Sequence, residues 1–108
     1  MASLHRSPTA TRPIARKVDV LSLPSTLTQA HATACLNTLT TGLKNEASTQ
    51  VVVDAALLRS FDSSALAVLL EFRRECARAG KRFVVQGLPQ RLRDLAALYG
   101  IEKLLLSA

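Results

Sequence analysis

Aromatic side chains are scarce: no tryptophan, one tyrosine and three phenylalanines in 108 residues. So few rings give no stacking platform for nucleic-acid bases, and the case for nucleic-acid binding would rest on charge alone. There are only two cysteines, Cys35 and Cys76, too few to make a metal site by themselves. No run of about 18 uninterrupted apolar residues occurs, so no direct membrane span is expected. The N-terminus lacks the apolar core of a secretory signal, which points to a cytoplasmic domain with reduced thiols. A Gly-rich phosphate loop is missing too. Acidic residues number eight against 14 Lys and Arg, a net charge of +6. That balance favours anionic surroundings: an acidic protein surface, nucleic acid or an anionic membrane leaflet.

What is present is enough apolar residue, 48%, for one domain with one core. Residues 1–16 hold Ser, Thr, Pro and Arg with little apolar periodicity, and read as a flexible basic lead with room for one short edge strand; residues 17–108 read as the folded domain. Val18 to Leu23 alternates as a half-buried strand does. Thr28 is placed to cap a helix over Gln29 to Leu43, with Ala32, Leu36, Leu39 and Leu43 on one face. Its threonines make it a weak helix former. Asn45 to Thr49 reads as a polar loop. Val51 to Asp54 has the continuous β-branched character of a strand covered on both faces. A helix over Ser63 to Ala79 stops at Gly80, and Arg82 to Gln86 forms the next strand. Gly87-Leu88-Pro89 turns into a helix over Gln90 to Tyr99, stopped by Gly100, with Ile101 as the apolar contact after the stop. Glu102 to Leu106 is a short strand or a helical turn. Phe61, Phe72, Phe83 and Tyr99 are expected in or near the core. This alternation predicts an α/β fold, a small mixed sheet with helices packed against it.

The segment Ser60 to Leu70, SFDSSALAVLL, carries the one site the sequence advertises. Asp62 is a strong N-cap residue whose carboxylate can accept bonds from the free amides of the helix start. Ser63 and Ser64 follow in the first turn, near solvent and at the positive end of the helix dipole. A hydroxyl held there can be modified or read by a partner, although serine also suits that position for capping alone. At about 100° per residue, Ala65, Val68, Leu69, Phe72 and Cys76 gather on the core side. Ser63, Leu66, Ala67, Leu70, Arg74 and Arg78 fall on the other side or its border. An apolar strip rimmed by polar groups marks a protein interface; the competing reading has Leu66 and Leu70 covered by a neighbouring helix.

Catalysis is not expected. A nucleophile needs a base oriented beside it, and neither histidine lies in a segment that would approach Ser63. Asp54 and Asp62 could form a carboxylate pair, but loop and cap hydrogen bonding is the simpler role. His31 and Cys35 share a helix face at i and i+4, without a second pair of ligands, so no metal and no cofactor are expected.

A valine-rich strand ending in Asp, a short loop, Asp-Ser-Ser-small-Leu at a helix start, a Gly stop and a strand running into Gly-Leu-Pro together resemble the STAS domain. That domain occurs in anti-sigma factor antagonists, sulfate-transporter tails and the MlaB subunit of phospholipid-transport ABC systems. The resemblance covers Val18 to Leu106, and its most specific stretches are Phe61 to Leu70 and Val85 to Leu105. The latter, with Leu95-Ala96-Ala97-Leu98-Tyr99-Gly100, is similar to the MlaB version. It implies a non-catalytic cytoplasmic subunit at the inner face of the inner membrane of a Gram-negative cell. Such a subunit binds the ATPase of an Mla-like transporter, and through it the permease, in a system maintaining outer-membrane lipid asymmetry. It also implies that Asp62, Ser63, Ser64 and Ala65 form the family motif, with Ser63 at the partner-contact or phosphorylation position and Ser63, Leu66, Ala67, Leu70 and Arg74 at the interface. Ala65 stands where the family usually has Gly. The alternative is an anti-sigma factor antagonist with a kinase partner acting on Ser63.

Overall fold

Val51, Val52 and Val53 put β-branched side chains on both faces of one strand, which is stable only where both faces are covered. The computed structural model describes residues 18–44 and 48–106 and sets that run at the centre of a parallel sheet. Strand β1, Val18–Ser22, and strand β5, Arg82–Gln86, flank strand β3, Gln50–Asp54. Val20, Val52 and Val84 lie in one row across the three strands. A second short ladder pairs β2, Thr26–Leu27, with β4, Ser60–Phe61. Every pairing among the described residues is parallel; the basic lead over residues 1–16 and part of the expected polar loop, residues 45–47, lie outside them.

Parallel strands need crossovers, and the helices supply them. Helix α1, Ala32–Thr41, continues as single 3-10 turns at both ends, Gln29–His31 and Gly42–Lys44. Helix α2, Ser64–Arg78, packs along α1 and carries six buried side chains, while α1 buries only Leu39. Helix α3, Gln90–Leu98, and the short α4, Glu102–Leu106, complete the described residues, so the segment Glu102–Leu106 is a helical turn and not a strand. Phe72 of α2 is fully buried and meets Phe83 of β5 edge to face at 6.1 Å. Leu21 reaches the Gly42 backbone, so this face of the sheet is the one the helices cover. Val18 and Val20 point the other way, 42% and 63% exposed.

Both glycine stops take positive φ, +73° at Gly80 and +74° at Gly100. Behind Gly80, the Lys81 amide bonds the Cys76 carbonyl and the Gly80 amide bonds that of Ala77; the same pair recurs from Ile101 to Ala96 and from Gly100 to Ala97. This second turn corrects one expectation. Tyr99 is 55% exposed, because the chain reverses immediately after it and Ile101 folds back against the core in its stead. Thr28 also departs from its expected role: its hydroxyl meets His31 Nδ1 at 3.0 Å and caps no amide.

Candidate functional site

The C-terminal edge of the sheet is built from loops that carry backbone bonds past the strand ends. Leu23 donates to the Asp54 carbonyl and Ala55 to that of Gln86, at 2.9 and 2.8 Å. Asp54 turns its Oδ1 onto the Ala56 amide at 2.9 Å, which closes the first bend after β3. Buried Leu58 anchors the loop, and Arg59 and Ser60 both donate to the Ser25 carbonyl, leading into β4. The chain therefore reaches Asp62 with little freedom.

Asp62 fixes the start of two helices. Its Oδ1 accepts the Ser64 amide at 2.8 Å, and its Oδ2 accepts the Gln29 amide, at the head of α1, at 3.1 Å. Its carbonyl takes the Ala65 amide, and that of Ser63 takes those of Leu66 and Ala67. The Ser64 amide, with the Gln29 amide adding to it, holds the Asp62 carboxyl below the usual carboxylate range, so it is ionised at neutral pH. Asp54 and Asp62 are thus each engaged in backbone bonds.

Ser63 is exposed, already in helical conformation at φ −63°, with its hydroxyl open to solvent. Ser64 is half-buried and Ala65 fully buried. Leu66 contradicts the expected interface: it is 2% exposed and belongs to the core cluster that also holds Leu92 and Leu105. It lies at the border of the outer stripe, and the core wraps around that border. What remains outward is Ser63, Ala67, Leu70 and Arg74, one stripe at i, i+4, i+7 and i+11. Ala67 is exposed, Leu70 half-buried against the core, and Arg74 pairs with Glu71 at 3.3 Å. Arg78 pairs with Glu75 below it.

Two open grooves flank the stripe. One runs between α1 and α2, lined by Ala32, Thr33, Leu36, Ala67, Val68 and Glu71. The other lies against α3, lined by Phe61, Asp62, Arg91, Asp94, Leu95 and Leu98. Sequence reasoning missed this second groove. Its signal was available: with Leu92 and Ala96 turned inward, Arg91, Asp94 and Leu98 must share the outer face of α3.

His31 and Cys35 line a separate groove behind α1, together with Pro24 and Leu39. Among the described residues no cluster of three His, Cys, Asp or Glu side chains could hold a metal ion. Burial pushes the Cys35 thiol up, and pushes Cys76 to about 11 against the lowering effect of Lys81. Both thiols are therefore protonated at neutral pH.

The parallel α/β sheet thus displays a helix start at its C-terminal edge, with the acid engaged and the Ser63 hydroxyl exposed. The family model described as "Mlab, STAS domain" matches residues 10–107, and the chain belongs to that family. The match begins within the segment read as a basic lead. STAS domains are in general binding domains rather than catalysts. Among solved structures, the anti-sigma factor antagonist SpoIIAA in its unphosphorylated form shares 19% identity at a TM-score of 0.67, over 86% of this chain and 81% of that one. The phosphorylated form of the Bacillus cell fate determinant SpoIIAA shares 20% at 0.61, over 86% and 84%. The STAS domain of a SulP transporter from Vibrio cholerae shares 17% at 0.61, over 83% and 69%. At these identities the likeness is one of fold. No curated protein sequence matches the chain.

Proposed function

We propose that this protein is a non-catalytic cytoplasmic subunit that docks on the ATPase of an Mla-like phospholipid-transport ABC system and supports its assembly and activity. The observation that carries the reading is the match to the MlaB-type STAS family over residues 10–107. The exposed stripe of Ser63, Ala67, Leu70 and Arg74 is the docking surface, with Ser63 at its head. Through the ATPase the subunit meets the permease, at the inner face of the inner membrane. No helix among the described residues is long and apolar enough to cross a membrane, in keeping with attachment through a partner.

Co-purification from native cells with the transporter ATPase and permease is the expected outcome, and Ser63→Glu and Ala67→Glu reduce ATPase capture with the fold unchanged by circular dichroism. Undiminished capture by both variants would remove the stripe as the docking surface. Leu70→Asp is the harsher variant, since Leu70 also packs on the core.

The free Ser63 hydroxyl favours one second reading, an anti-sigma factor antagonist switched by phosphorylation. A phosphate there adds about −1.5 to −2 charges beside the ionised Asp62, and an interface fitted to a neutral hydroxyl would be repelled. Stoichiometric phosphate on Ser63 in cells, and release of a sigma factor by the unphosphorylated form, would favour this reading over the first.

A further inference from the structure

The parallel register sets Val18, Gln50 and Arg82 in one row, at the edge of the sheet where its strands begin. Three segments meet at that edge. The Lys81 ammonium donates to the Leu43 carbonyl at 2.9 Å and the Ser48 hydroxyl at 3.2 Å, and the Arg82 amide donates to the Thr49 carbonyl. Lys44, Lys81 and Arg82 are thereby brought to one side of the molecule, with Lys44 and Arg82 exposed. The sequence that enters β1 at this same edge adds Arg6, Arg12, Arg16 and Lys17 and no acidic residue. Of the acids near it, Glu75 is held by Arg78 at 2.6 Å, and Asp19 lies in the row of Val51 and Phe83, on the helix-covered face. Glu46 lies outside the described residues. At the opposite edge Arg91, 5.1 Å from the centre of the Phe61 ring, shares its groove with Asp62 and Asp94, so the excess of positive charge is not there.

The basic edge is also apolar. Val18 and Val20 are exposed on the face to which Arg82 belongs, because two crossovers in one direction, β1 to β3 to β5, put both long helices on the other face. We infer that this edge rests on an anionic lipid surface, its cations on the phosphates and the two valines at the acyl boundary. The assignment rests on the docking reading above and gives the docked subunit a second contact. Aliphatic side chains set among cations select lipid over nucleic acid, whose phosphates and base edges give a valine no apolar layer to enter. The cations come from a strand, a loop and the chain before β1, with no common helical spacing, which suits a plane that responds to summed charge. Both contacts can be made together. Ser63 heads α2 and Arg78 ends it, and its 15 residues separate the docking stripe's head from the basic edge by about 22 Å.

The test is co-sedimentation of the full-length chain with phosphatidylglycerol–phosphatidylcholine vesicles, against vesicles of phosphatidylcholine alone. Binding to the anionic vesicles only, falling as sodium chloride rises, is the expected result. Lys44→Ala and Arg82→Ala each lower the partition coefficient about fivefold, the scale of one cation at an anionic surface. Val20→Ser lowers it with the salt slope unchanged. Equal binding to both vesicle types, binding to neither, or binding that ignores Lys44→Ala and Arg82→Ala overturns the inference. Capture by an oligonucleotide that the anionic vesicles fail to displace overturns it as well. ATPase capture without vesicle binding sinks the membrane assignment alone, and vesicle binding without ATPase capture sinks the proposed function alone.

Discussion

Asp62 does more than a cap residue usually does, because its two oxygens hold the amides of two different helices. Removing the charge loosens α2 and the lead into α1 together. The pH dependence has a definite sign. The folded carboxyl lies below its ordinary value of 3.8, so its stabilising contribution is fully present above that value. It is lost as pH falls through the lower folded value. Asp62→Asn is therefore expected to lower the urea midpoint at neutral pH, with the gap to wild type shrinking as the carboxylate of the folded protein is protonated in acid, below its ordinary value of 3.8. A constant gap across that range would mean the carboxylate's charge is not what matters. Asp62 as a helix cap was legible from its place before two serines and an apolar run. Its bond to Gln29, 33 positions away, was not, because nothing local links the two.

The two long helices are held differently. α2 buries Ala65, Leu66, Val68, Leu69, Phe72 and Cys76, and ends in a glycine-stopped turn. Its stability comes from packing, and Phe72→Ala should cost about 3–5 kcal/mol by chemical denaturation. α1 buries only Leu39, and Thr38, Thr40 and Thr41 return their hydroxyls to the carbonyls four residues back. Such bonds do not raise helix propensity. Amide exchange is expected to be faster along α1 than along α2 by more than the solvent exposure of single amides explains. Both helices could be found from their periodicity, and the stops of α2 and α3 from Gly80 and Gly100. Leu66 was misplaced because it sits at the edge of a helical face, where a neighbouring element decides what covers it, and Tyr99 because it caps the end of α3, where the chain reverses.

At the scale of the molecule, a +6 chain presents an exposed hydroxyl, a narrow stripe and an oriented arginine along one edge. Association with an acidic partner should then slow as salt rises, since screening acts over about 8 Å at physiological ionic strength. Stopped-flow measurement of ATPase binding is expected to show an association rate falling with sodium chloride, and a shallower fall for Arg91→Ala. A salt-independent rate would argue for a docking surface governed by shape alone.

Local chemistry determined a good deal without any coordinates. The valine run predicted a covered strand, the glycines predicted the helix stops, and Asp-Ser-Ser predicted an exposed hydroxyl at a helix start. Each depends on forces that act within a few residues. Tertiary packing alone decided that Leu66 is core, that one carboxylate ties two helices, and that Arg91 lies on Phe61 beside Leu98. Those outcomes join residues about thirty positions apart, and the hydrophobic closure that brings them together has no direction written in any one segment.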